Sequence, residues 1–118
     1  MFEAVDIRSW QGTAVLDPEG NKIGTFESVY VDTASDEPTF ATVTIGMPTR
    51  HRAVFVPLAG AVVGPGYVKV THFRDQVKSA PSIPDGGELA AGDEPEIFAH
   101  YNLAYEQGAS GERRLARG

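Results

Sequence analysis

Asp17-Pro18-Glu19-Gly20-Asn21-Lys22-Ile23-Gly24 sets a turn built on Pro18 and Gly20 between two β-rich runs, Thr13–Leu16 and Thr25–Asp32. The same pattern repeats more loosely along the chain. Thr39–Ile45 stops at Gly46, and Arg52–Pro57 follows a tight connection, Met47–His51, that contains Pro48. Leu58–Val63 stays apolar and bends at Gly60, Gly64-Pro65-Gly66 is a turn, and Tyr67–Phe73 is a last strand. Glycine tolerates positive φ and proline withdraws a ladder donor, so these residues end strands where they fall. Short Val/Thr/Tyr/Phe runs with such punctuation describe a mainly β chain, a small antiparallel barrel or sandwich.

Within Ile23–Asp32, the residues Ile23, Thr25, Glu27, Val29 and Val31 alternate with Phe26, Ser28 and Tyr30. Both faces are apolar in the second half, so one face is read as core and the other as a partner surface. Ile7 and Trp10 are three residues apart, so a short turn tucks Trp10 inward. Arg74–Ser79 reads as one helical turn stopped by Pro81, because the residue before a proline leaves the α region. Ser82–Gly92 reads as loop. Asp93 then offers an N-cap with Glu96 as its capping-box partner, and Pro95 is tolerated in a first turn. Ile97, Tyr101 and Ala104/Tyr105 form one stripe, which predicts a helix near residues 93–103 packed on the barrel. Beyond Glu106, only Leu115 offers a side chain to bury, among Arg113, Arg114 and Arg117, so residues 106–118 are expected to be a disordered tail.

The 118 residues amount to one domain, and 42% apolar with 22% charged residues suits a globular chain. The net charge of −6 favours solubility and disfavours nucleic acid and anionic lipid as partners. The absence of cysteine removes disulfides and thiolate chemistry and fits a reducing cytoplasm. The acidic start Met1–Asp6 lacks the apolar core of a signal peptide, and no stretch approaches the ~20 apolar residues of a membrane helix.

The succession Trp10-Gln11-Gly12, Val15-Leu16-Asp17, Gly20-Asn21-Lys22-Ile23-Gly24 and Val29-Tyr30-Val31-Asp32 resembles the opening of a PRC-barrel domain. That family is named for the cytoplasmic part of the photosynthetic reaction centre H subunit, and it also supplies one domain of a ribosome maturation factor. Phe40–Gly46, Val54-Phe55-Val56-Pro57-Leu58 and Tyr67-Val68-Lys69-Val70 are similar to its later strands. Ala80-Pro81 followed by Glu94–Tyr105 resembles a stand-alone bacterial version, common in actinobacteria, that adds a C-terminal helix. The resemblance spans residues 5–105, within a domain taken as 1–105. It implies a small β-barrel serving as an adaptor or assembly module. The family shares no catalytic residues, so none is carried over.

Arg50, His51 and Arg52 are the candidate partner-binding residues, placed in a hairpin loop that could grip phosphate, RNA or an acidic partner; a merely solvated loop is the plainer reading. His51, His72 and His100 are scattered without carboxylates at ligand spacing, so no metal or cofactor is expected. The serines lack a nucleophile-elbow context, and the glycine pairs lack a phosphate-loop setting. The chain is therefore read as a non-enzymatic, self-associating protein–protein module, a homodimer or higher oligomer. The alternative is an RNA- or ribosome-associated protein using Arg50, His51 and Arg52.

Overall fold

The computed structural model describes residues 10–33, 37–47, 50–84, 93–103 and 115–117. Eight strands and two helices lie among them. The strands are β1 (Ala14–Leu16), β2 (Lys22–Asp32), β3 (Pro38–Met47), β4 (Arg50–Pro57), β5 (Val62–Gly64), β6 (Tyr67–Lys69), β7 (Ser82–Pro84) and β8 (Leu115–Arg117). The helices are α1 (Arg74–Lys78) and α2 (Glu94–His100). The sheet runs in the order β5-β6-β1-β2-β3-β4-β7, with β8 paired to β2. The mainly β architecture expected from the turn spacing is present. One pair departs from it: β1 and β6 are parallel, Ala14 opposite Tyr67 and Leu16 opposite Lys69. That pairing joins the first strand to the last hairpin across the whole β2–β4 meander, a connection long enough for a parallel pair.

The turns form as their chemistry requires. Gly20 has φ +86°, and its N–H donates to the Asp17 carbonyl at 2.9 Å. Gly66 has φ +76° after Pro65, the backbone of a type II turn, and reverses β5 into β6. The Asp17 side chain is almost fully buried. Its Oδ1 accepts from the N–H groups of Glu19 and Asn21, each at 2.9 Å, and its Oδ2 from the Arg74 N–H at 3.1 Å. One carboxylate thus shapes the first hairpin and moors the start of α1 to it. Burial alone would raise its pKa, but these donors outweigh it and hold the carboxyl below 3.8.

β2 does not follow the simple alternation. A register shift between Phe26 and Ser28 makes Glu27 a bulge. Phe26 then opposes Val43 and Val29 opposes Ala41, so Phe26 and Val29 share one face. Val54 and Val56 continue that face on β4, and Trp10 packs edge-on to Phe26 at 5.9 Å. The opposite face carries Ser28, Tyr30, Phe40, Thr42 and Phe55. The bulged Glu27 accepts from Thr42 at 3.2 Å and Thr44 at 3.3 Å, and Ser28 lies 2.5 Å from Thr42. Thr42 is thereby buried with its hydroxyl satisfied.

This second face is not left for a partner. Tyr30, Phe40 and Phe55 are fully buried, and Phe40 meets Phe98 at 5.2 Å and Tyr101 at 6.4 Å. α2 lies over the face, with Ile97 and Tyr101 buried as the stripe predicts; Ala104 and Tyr105 fall outside the described residues. The Tyr101 hydroxyl donates to the Phe55 carbonyl. The helix ends where Asn102 takes φ +57°: Leu103 N–H donates to Phe98 O at 2.8 Å and Asn102 N–H to Ala99 O at 3.0 Å, a Schellman closure. The capping box at the other end does not form. Asp93 stands at the N-cap position without a side-chain cap bond.

Two readings are corrected by strand pairing. Ser82–Pro84, taken as loop, is β7, with Ile83 opposite Ala53. Leu115–Arg117, taken as part of a disordered tail, is β8, with Leu115 wholly buried. β2 is longer than β1, and β8 occupies the stretch of its edge that β1 leaves open. Residues 104–114 lie outside the described residues.

Candidate functional site

Arg50, His51 and Arg52 are strand residues of β4, not loop residues. Ladder pairs run Met47 with Arg50, Gly46 with His51 and Ile45 with Arg52. Neighbouring strand residues point to opposite faces, so the pleat divides His51 from Arg52 instead of joining them in one patch. Arg52 is also engaged: its Nη2 donates to the Lys78 carbonyl at 3.0 Å, at the end of α1. A guanidinium suits that position, where helix carbonyls lack intrahelical donors.

The structure brings two of the three histidines together. His72 lies 4.7 Å and His100 4.9 Å from the Tyr101 ring. The carbonyl of Gln76 can only accept, so His100 donates to it through Nε2, at 2.7 Å. Burial, with the neighbouring charge of His100 second, holds His72 below 6.5. Burial also pushes the Tyr101 phenol up. The cluster fastens α2 to the segment that carries α1. Its parts lie far apart in sequence, so spacing gave no sign of it. Among the described residues, no group of three or more His, Asp or Glu is placed to hold a metal ion. No helix there is long and apolar enough to cross a membrane.

The sheet path ends at β5 and at β7. β7 is bounded by Pro81 and includes Pro84, and proline blunts a strand edge by removing a donor. Among the described residues, β5 has no such protection. Val62, opposite Lys69, is 59% exposed and Val63 is 41% exposed, while Val68 opposite Val63 is buried. The Tyr67 ring lies over Gly64, where a Cβ would meet it at 2.2 Å, so a side chain there would have to displace the ring. A groove of 470 Å³ beside the edge is lined by Pro18, Gly60, Val62, Lys69, Val70 and Thr71. Residues 53–68 carry no charge, in a chain that is 22% charged. The sequence shows this stretch as apolar, but only the strand order shows that its end is an edge no other described strand pairs with.

The PRC-barrel domain family matches residues 2–77. The match ends within α1, so β7, α2 and β8 lie beyond it. No match is found among curated proteins. The PRC-barrel domain is a general small domain, often found in interaction and assembly contexts, and is not a catalytic fold. With the turn chemistry of β1–β2, the β2–β4 meander and the β5–β6 return all inside the matched region, the chain belongs to the PRC-barrel domain family.

Proposed function

We propose that this PRC-barrel protein is a non-enzymatic assembly module that self-associates through the open edge of β5. The observation that carries the reading is an edge with two exposed valines and no proline or charge within the strand. Unpaired N–H and C=O groups along such an edge are satisfied when a second strand adds to it. A second copy is the partner that fits. Antiparallel pairing of β5 with β5 about a two-fold axis is self-complementary. It also brings no like charges together within the strands, whereas most of a surface of net −6 would repel its copy.

The expected species is a dimer, of twice 12.6 kDa. Val62→Lys places a cation on the edge and opposite its own image, so the variant is expected to be monomeric at about 100 μM, where the natural chain is paired. Light scattering on both chains decides it. A natural chain that is monomeric at that concentration, or a variant that stays dimeric, rejects the reading.

A further inference from the structure

The C-terminal segment occupies a built site. β8 lies antiparallel on β2, with Tyr30 opposite Arg117, Val31 opposite Ala116 and Asp32 opposite Leu115. β3 holds the other side of the same residues, Tyr30 facing Phe40 and Val31 facing Pro38. The acceptor is therefore the single remaining edge of β2, next to the stretch taken by β1. Its far wall is the first turn of α2. There Glu94 is wholly buried and accepts the Leu115 N–H at 2.9 Å. A buried carboxylate requires donors, and an open strand edge requires a backbone partner. An extended segment with one apolar side chain meets both needs at once, and Leu115 fills the apolar position.

Among the described residues the ladder is three residues long, and Leu115 is the side chain that anchors it. So short an element opens locally more readily than the sheet as a whole. It also reaches its site through residues 104–114, which contain Gly108 and Gly111 and no proline. Charge favours the seating in either geometry. Residues 107–118 carry three arginines against one glutamate, so the remainder of the chain is more acidic than its net −6.

We propose that the edge of β2 at Tyr30–Asp32, with Glu94, is a strand-acceptor site, and that its second occupant is the Leu115–Arg117 segment of another copy, exchanged for the chain's own. Exchange of an identical element between protomers uses contacts already formed within one chain. It thus gives an assembly route separate from the β5 edge.

The test uses a fluorescein-labelled peptide of residues 107–118 and the full chain, followed by anisotropy. The chain's own tail competes at an effective concentration on the order of millimolar. A full-length Leu115→Ala chain, with its own anchor weakened, is therefore expected to bind the peptide at least about tenfold more tightly than the natural chain does. A Leu115→Ala peptide is expected to bind neither. If the Leu115→Ala chain lacks a cooperative unfolding transition, the natural chain with about 1 mM peptide replaces it, and the natural peptide must bind where the substituted one does not. Exchange between copies is read in Val62→Lys chains, whose β5 edge is blocked: a dimer that grows in by about 1 mM must disappear when Leu115→Ala is added. Equal binding of the two peptides overturns the proposal, as does absence of binding. Peptide binding without a Leu115-dependent dimer overturns the exchange. None of these results depends on whether the β5 edge pairs.

Discussion

A methyl group on Gly24 would stand 2.3 Å from the Thr44 carbonyl oxygen and 2.8 Å from the Val43 side chain. The obstacle is backbone in the neighbouring strand, which cannot swing aside. Gly24→Ala is therefore expected to destabilise the fold by about 1–3 kcal/mol, seen as a lower urea midpoint. Two other residues contribute to the response to acid. His72 is held below 6.5, so the unfolded chain takes up that proton first. Its contribution is whole above pH 6.5 and is lost as the pH falls toward the depressed folded value. Asp17 acts lower. Its folded carboxyl lies below 3.8, so its contribution is whole above that value and lost as the pH falls through the folded pKa. Urea titrations at several pH values should show two separate declines, and His72→Gln should remove only the upper one. The Asp17 turn was readable from its sequence because every donor except Arg74 lies within four residues. The His72–His100 pairing was not, because α1 and the path to α2 set it.

α2 covers the second face of the meander, and β8 extends its sheet at the edge of β2. Ile97→Ala is expected to cost about 2–4 kcal/mol, since the side chain is buried and the helix is held at both ends. Tyr101→Phe keeps the ring against Phe40 but deprives the buried Phe55 carbonyl of its donor, at about 1–3 kcal/mol. The tail now carries a prediction opposite to that for an unpacked segment. Deleting residues 107–118 removes a fully buried leucine and a donor to buried Glu94. It is expected to cost about 2 kcal/mol or more by denaturant titration, against under about 0.5 for an unpacked segment. The sequence marked α2 by its apolar stripe and its N-terminal residues, whereas its end at Asn102, with φ +57°, came from the structure. The sequence placed the N-cap correctly but not the bond: Asp93 has helical backbone angles, φ −94° and ψ −7°, instead of the extended ones of a capping residue, and makes no side-chain cap bond.

At the scale of the whole molecule, net charge and the uncharged β5 edge oppose one another in self-association. Two copies of net −6 repel, and salt screens that repulsion. Dimerisation through β5 should therefore strengthen between about 20 and 200 mM salt, measured by sedimentation. Binding that rested on phosphate contacts would weaken over the same range. By itself the sequence determined the turns, the strand-rich class, the family and the position of α2. Each follows from contacts or backbone preferences within a few residues, or from patterns that repeat along the chain. Tertiary structure decided the rest. The Glu27 bulge exists only against β3, and it shifts Phe26 and Val29 onto one face where simple alternation divides them. β7 and β8 are strands because β4 and β2 have edges to offer, a fact written nowhere in Ser82–Pro84 or Leu115–Arg117. The second apolar face of the meander was legible in the sequence, but as a partner surface. That α2 covers it was decided by the return of the chain over Phe40 and Phe55, because burial is settled by whatever the chain brings back in space.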